Sequence, residues 1–586
     1  MKYSDALAEW LVELGYTHCF YVSGGNIMHL SESINRRMVC KAVVHEVAAG
    51  IAAEYFNEAS AGTEKAFALV TAGPGLTNII TSLAGAYLES RELLVIGGQV
   101  KTSDLARSLL RQRGIQEIDG VALARPVTKT SILIDEQISK TSFVNLVSQS
   151  WSGRKGPVFL EIPLDIQGGT LLDENSNKSN FVSSFLPKAS AAELDSIISA
   201  LHESSRPVFL IGGGITRSVS QALSEKLKQL GIPIATTWNA VDRIGADHPC
   251  YVGRPNTWGQ RSSNIILQQS DLIIAFGSRL GLQQTGFNWQ QFAPLGKVIH
   301  IDIDKSELNK GHPKLYLQFE HDANDLLERI ADKPIKDFSD WLSFCNDVRE
   351  SIPLIENDNH TGLDFISPYV FIDELSKLSS SNDTVIPCSS GGAFTVFMQT
   401  FTQKTGQITI SNKGLASMGY GLSGAIGAAF AHPRRKTILI EGDGGFSQNL
   451  QEIGTAAINQ LNIKIFIFDD SGYASIRMTQ KNYFNGSYIG CDRQSGLGLP
   501  NWDKLFDVWD IPVVRLGRDF QNNSSFLNLF NREGPAAFIV SIDPQQTYFP
   551  KISSRVIENG SMLSNPLHLM TPELSSEISE HVMKFF

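Results

Sequence analysis

Short apolar runs, four to seven residues long and bounded by turn-forming residues, recur along the chain and alternate with stretches of helical periodicity. In the first part they fall at 17–22, 66–70, 93–96 and 157–162, with helices predicted at 4–14 and 78–89. Runs with no polar alternation read as strands buried on both faces. With helices between them, they predict parallel sheets covered on both sides. A second set lies at 208–211, 272–276 and 297–303, and a third at 437–441 and 463–468. The expected fold class is therefore α/β, built as three doubly wound domains. The boundaries read as 1–170 for the first domain and 171–190 for a Ser-, Asn- and Gly-rich linker. The second domain spans 191–330, a charged irregular linker 331–362, and the third domain 363–545. A mixed tail covers 546–586, and the first and third domains look like one architecture used twice.

Composition narrows the class. At 586 residues the chain is long enough for several cores, and a net charge of −10 disfavours nucleic acid or an anionic membrane as partner. It has no apolar run of spanning length, and Met1-Lys-Tyr-Ser-Asp lacks the pattern of a signal peptide. The six cysteines are scattered without metal spacing and read as reduced thiols of a cytoplasmic protein.

The most informative stretch is Glu441-Gly-Asp-Gly-Gly-Phe446, which follows one apolar run. Asp469-Asp-Ser-Gly472 follows the next, so that Asp470 stands 27 residues after Asp443. Two buried strands that each deliver a carboxylate at the carboxyl end could share one hard cation, with Mg²⁺ the usual choice beside a phosphate. Gly442, Gly444 and Gly445 would let a diphosphate approach the backbone, and a helix predicted from about 449 would face the anion with its N-terminus. Residues 41–46 read as a short strand ending in Glu46. They run into a helix of small residues.

This spacing resembles the metal–diphosphate motif of thiamine diphosphate enzymes, and the chain is similar to their acetolactate synthase branch over nearly its whole length. The resemblance is carried by Gly24-Gly25, His45-Glu46, Thr71-Ala-Gly-Pro-Gly-Leu-Thr-Asn78, Arg113-Gly-Ile-Gln-Glu-Ile-Asp119 and Arg125-Pro-Val-Thr-Lys129. Gly156-Pro-Val-Phe-Leu-Glu-Ile-Pro163, His300-Ile-Asp-Ile-Asp304, Gly414-Leu-Ala-Ser-Met-Gly-Tyr-Gly421 and the 442–470 motif complete it. It implies pyrimidine-binding, central and diphosphate-binding domains in that order. It also implies an active site between the first domain of one subunit and the third of another, hence a homodimer or homotetramer.

Carried over by resemblance, Glu46 relays a proton to the aminopyrimidine, and Pro74 and Asn78 line the cofactor. Asp443, Asp470 and the carbonyl of Gly472 hold the metal, and Met418 is the apolar wedge that bends the cofactor. Gln116 lies in the substrate channel, and Gly25 and Lys129 lie near the reacting centre. In the central domain Gly212, Gly213, Gly214, Gly277, Arg279, Asp302, Asp304 and Asp322 fall where the family holds FAD. Arg279 would pair with a phosphate there, and Asp302 or Asp304 with a ribose hydroxyl.

The implied reaction decarboxylates pyruvate and transfers the two-carbon unit to a carbonyl acceptor. No His-His pair occurs between 90 and 130, where simple decarboxylases of the family carry one for releasing aldehyde. Three departures bear on the acceptor: Thr479 replaces a tryptophan, Ile115 a phenylalanine, and Ser390-Gly-Gly-Ala-Phe394 a Gly-Gln-His stretch. The pocket is then expected to be larger and more polar. Residues 472–477 and 565–570 resemble the branched-sugar (yersiniose-type) synthases, which implies a nucleotide-linked keto-deoxy sugar as acceptor. Plain acetolactate synthase, 2-oxo acid decarboxylase and an inactive regulatory relative are the competing readings. Asp470 itself replaces the usual asparagine, which adds a negative charge beside a diphosphate.

Overall fold

The computed structural model describes residues 1–107, 110–172, 188–558, 560 and 562–586. Most of the expected 171–190 linker lies outside the described residues. The first sheet contains β1 (Tyr16–Tyr21), β2 (Val39–Ala42), β3 (Lys65–Val70), β4 (Leu93–Gln99), β5 (Thr130–Leu133) and β6 (Pro157–Pro163). These strands are parallel in the order β2-β1-β3-β4-β6-β5. The second contains β7 (Pro207–Ile211), β8 (Ile234–Thr236), β9 (Tyr251–Gly253), β10 (Leu272–Phe276), β11 (Lys297–Asp302) and β12 (Leu317–Glu320), ordered β12-β11-β10-β7-β8-β9. The third contains β13 (Thr384–Ile386), β14 (Ile408–Thr409), β15 (Thr437–Gly442), β16 (Ile463–Asp469), β17 (Val513–Leu516) and β18 (Ala536–Ser541), ordered β14-β13-β15-β16-β18-β17.

The strand order of the first sheet recurs in the third, as the two similar apolar patterns predicted. The middle sheet has a different order, the one used by dinucleotide-binding sheets, with its switch point between β7 and β10. Strands buried on both faces explain why β3, β4, β7, β10 and β15 lack alternation: nearly every residue in them is inaccessible.

One core joins the first and third domains. Helix Glu46–Ser60 packs along helix Tyr420–Ala431, where Gly424 lies under the Tyr55 ring and Gly427 abuts the carbonyl of Ala52 without room for a methyl group. Gly50 is as tightly met by Ser82. The small residues after Glu46 thus serve helix–helix contact.

The stretch 331–362, expected as an irregular linker, holds helix Ser339–Ser351. Trp341, Cys345 and Val348 are buried on one side of it, and Trp341 donates to the carbonyl of Pro207 at 2.9 Å. Its many charges hid a short apolar stripe from sequence reading. The tail runs back over the central domain, where Arg261 donates to the carbonyl of Pro572 at 2.7 Å and Phe585 packs on Trp341.

A buried charged junction ties all three domains together. Arg91 pairs with Glu54 at 2.8 Å and donates to the carbonyl of Ser411 at 2.6 Å. Arg217 pairs with Asp242 at 2.6 Å and donates to the carbonyl of Glu58 at 2.7 Å, while Asp242 also accepts from the amide of Thr409 at 2.9 Å.

Candidate functional site

In parallel sheets the loops after the strands converge on one edge, where ligands bind. Glu46 follows β2 at that edge of the first sheet. It is the first residue of its helix rather than the end of a strand, since β2 stops at Ala42. The side chain is 8% exposed, and Oε2 accepts from Asn78 Nδ2 at 3.0 Å. Pro74 opens the short helix Pro74–Asn78 beyond β3. Gln116, in the loop after β4, adopts φ +62° and lies against Gly73, whose own φ is +67°. Glu117 fixes that loop by accepting from the amides of Arg113 and Gly114, both at 2.9 Å. Gly25, after β1, is exposed with open space where a side chain would start. These five candidates share one edge. Lys129 does not: it precedes β5 at the opposite edge and donates to the carbonyl of Ser152 at 2.6 Å.

The third sheet delivers the carboxylates. Asp443 follows β15 and is wholly buried. Its Oδ1 accepts from the amide of Gly444 at 2.6 Å and its Oδ2 from that of Gly472 at 3.0 Å. Burial, then repulsion from Asp470 and Asp469, pushes its carboxyl well above the usual carboxylate range. Asp470, after β16, is also buried. Burial raises it, the guanidinium of Arg477 opposes, and the result lies at about 6. Arg477 donates to Asp470 Oδ1 and to the Asp470 carbonyl, each at 2.7 Å.

Two repelling carboxylates in a desolvated corner form the donor set that a divalent cation relieves. Among the described residues no cluster of three or more His, Cys, Asp or Glu side chains could hold a metal alone. A cation here would therefore also need the main-chain oxygen of Gly472 and oxygens from a ligand, which suits a metal bound together with a diphosphate.

The glycines of this corner divide by role. Gly442 faces open space, Gly445 lies near Glu441, and Gly444 is required because the Tyr473 ring occupies the place of its side chain. A four-residue turn, Asp443–Phe446, intervenes before the helix Ile453–Ile458, so the helical start near 449 is broken into shorter pieces. Met418 is 37% exposed on the turn before helix Tyr420–Ala431, where Asn449 Nδ2 holds the carbonyl of Gly419 at 2.7 Å. Glu441 is buried beneath that helix's start, and burial pushes it up to about 8.

The two edges are connected through Glu452 of the third domain. It accepts from the amides of Val44 and His45, each at 3.0 Å, immediately before Glu46. Sequence reading had no signal for this contact, because it spans some four hundred residues of chain and depends on the packing of the two domains.

A cleft of about 1340 Å³ opens where the three domains meet. Gly213, Gly214, Gly277, Arg279, Asp302 and Asp322 line it at the carboxyl edge of the second sheet. The amide of Gly212 donates to the carbonyl of Phe276 at 2.8 Å and that of Gly214 to the carbonyl of Gly277 at 2.9 Å, so the two turns hold one another. Gly213 remains open toward the cleft, near Asn239 alone. Asp302 uses Oδ1 for the amide of Asp304 at 2.9 Å. Asp304 itself is engaged, capping the helix Lys305–Leu308 and pairing with Arg154 at 2.6 Å, which favours Asp302 for a ribose hydroxyl. Asp322 caps helix Ala323–Ala331. From the third domain Lys413 places its ammonium over the Trp238 ring at 4.7 Å, and burial lowers it to about 8. A phosphate-carrying dinucleotide fits this set: glycine turns at a switch point, an exposed arginine and an acid at the next strand end.

Comparison with known proteins agrees with the three-domain division. Residues 1–123 match the thiamine pyrophosphate enzyme N-terminal TPP binding domain, 194–330 the central domain, and 390–540 the C-terminal TPP binding domain. A probable acetolactate synthase large subunit of Methanocaldococcus jannaschii is 30% identical over 93% of this chain and 93% of its own. The acetolactate synthase isozyme 2 large subunit of Escherichia coli is 29% identical over 93% and 97% respectively. The isozyme 1 large subunit of the same organism is 26% identical over 94% and 95%.

Proposed function

The chain belongs to the thiamine pyrophosphate enzymes, as a carbon–carbon bond-forming relative of acetolactate synthases, and from that premise we propose its reaction. It decarboxylates pyruvate and transfers the two-carbon unit to a carbonyl acceptor larger than pyruvate, with a nucleotide-linked keto-deoxy sugar the acceptor to test first. The observation that carries the reading is the pairing of two like sheets. One presents Glu46 with Asn78 at its carboxyl edge, and the other presents Asp443 with Asp470 and Gly472.

Thiamine diphosphate, when bound, supplies the carbanion and the electron sink. Asp443, Asp470 and the Gly472 carbonyl would hold Mg²⁺ and through it the diphosphate. Glu46 would hold the proton at the ring nitrogen of the aminopyrimidine, kept in place by Asn78 Nδ2 on one side and by Glu452 through the amides of Val44 and His45. Met418 and Gln116 would border the reacting centre. FAD is the dinucleotide assigned to the cleft, with Gly213, Gly277, Arg279 and Asp302 as its contacts. A second copy of the chain would complete each site. In support, the residues around these edges are exposed in the single chain: Ile115 at 86%, Ile476 at 47% and Met418 at 37%. Thr479 in place of an aromatic residue supports the roomy acceptor pocket.

The test incubates the purified protein with thiamine diphosphate, Mg²⁺, pyruvate and a panel of carbonyl acceptors, read by mass spectrometry. The expected product is acceptor plus two carbons, from a preparation that absorbs near 450 nm. Acetolactate from pyruvate alone, whatever acceptor is present, would return the protein to the plain synthases. Free acetaldehyde would make it a decarboxylase, and a colourless preparation would remove FAD.

A further inference from the structure

We propose that Arg477 is the internal counter-cation of the metal corner, a positioning residue that lets an aspartate serve at position 470. The inference rests on the thiamine diphosphate and Mg²⁺ reading above. Its ground is a charge balance that the geometry completes. A neutral amide at 470 would leave Asp443 as the one carboxylate among the ligands of a divalent cation. Asp470 adds a negative charge in a site that must also take a diphosphate. Arg477 returns the net charge to that of the amide arrangement, and it does so in place: its side chain is 4% exposed and that of Asp470 is 8% exposed.

The contact is also oriented. Nη2 donates to Asp470 Oδ1 and to the Asp470 carbonyl, both at 2.7 Å, while Nε donates to the carbonyl of Pro544 at 3.3 Å. Arg477 thereby engages Oδ1 and leaves Oδ2 free of the guanidinium. A lysine could not span these acceptors with one planar fork. The same residue anchors helix Ala474–Tyr483, whose opposite face exposes Ile476, Thr479 and Tyr483. The charge that balances the cation therefore also fixes the helix that borders the acceptor side.

A double-mutant cycle tests this without recourse to turnover. Wild type, R477M, D470N and D470N/R477M are titrated with Mg²⁺ at fixed thiamine diphosphate. Binding is followed by quenching of tryptophan fluorescence, and each protein's melting temperature is recorded. R477M should need at least about tenfold more Mg²⁺, D470N should fall in between because it leaves a buried arginine beside the cation, and the double variant should return to within about threefold of wild type. R477M titrating like wild type, or losses that simply add in the double variant, would overturn the inference. Should R477M fail to fold, the double variant decides: near-wild-type affinity supports the pair, and a loss above about tenfold refutes it. Absence of any Mg²⁺-dependent quench in the wild type would instead remove the cofactor reading on which the inference stands.

Discussion

In the proposed reaction Glu46 is the residue on which the chemistry turns, and its surroundings say what a substitution would do. It is held by a donor, Asn78 Nδ2 at 3.0 Å, and by a backbone pinned two residues upstream by Glu452. Glutamine at 46 could still accept from Asn78 through its amide oxygen, so Glu46→Gln should keep the fold and the cofactor. It should lower turnover by at least about 100-fold, because a positioned proton relay is lost. Steady-state rates beside a melting curve check this, and full turnover would remove Glu46 from the mechanism. Residues of this kind differ in how far sequence exposes them. Asp443 and Asp470 were legible because a fixed interval between two strand ends forces them to one edge. Arg477 was not, since its reach back to Asp470 depends on the turn at 471–473, where Ser471 takes φ +66° and Gly472 φ +144°. Lys129 misled for the converse reason: a local motif does not reveal at which end of its strand it falls.

Elements carried the sequence signal most faithfully where they are buried on both faces. The runs at 66–70, 272–276 and 463–468 reappear as β3, β10 and β16 with at most one residue added at either end. Helix Ser339–Ser351 escaped because charged residues interrupt its apolar stripe, and its identity rests on the Trp341 contact to another strand. The proposed acceptor specificity rests on helix Ala474–Tyr483. Ala474 and Arg477 bind it to the metal corner, while Ile476, Thr479 and Tyr483 lie on the outward face. Thr479 gives its hydroxyl to the carbonyl of Ser475 at 2.9 Å and presents no aromatic wall. Thr479→Trp should therefore narrow the acceptor range toward small oxo acids while leaving Mg²⁺ affinity unchanged, since the anchoring face is untouched. Competition between small and large acceptors, with products counted by mass spectrometry, reads the effect. An unchanged product ratio would show that this face does not set acceptor size.

The whole molecule depends on how three sheets of two topologies are held at one junction, because both the central cleft and the link from Glu452 to Glu46 require fixed domains. The junction is charged and enclosed, and such pairs cost much if one partner is lost. Glu58 is the exposed margin of it, with 24% of its side chain accessible and Arg217 at 3.0 Å. Burial pushes the Glu58 carboxyl up, but the guanidinium groups of Arg217, Arg91 and Arg243 outweigh that and hold it at about 2. A carboxyl depressed on folding from an ordinary value of 4.5 contributes stability that is complete above about pH 4.5 and is lost as pH falls toward about 2. Within the junction, Glu54 is pushed up to about 7 by burial and takes its proton first, so that between pH 4.5 and 2 the contact that acid releases is that of Glu58 with its arginines. Glu58→Gln should lower the melting temperature near neutrality and make its decline between pH 4.5 and 2 shallower than in wild type. Calorimetric scans across that range test both statements together. A variant that melts along the wild-type acid curve would place the acid-sensitive contact at another carboxylate and leave Glu58 a bystander at the junction.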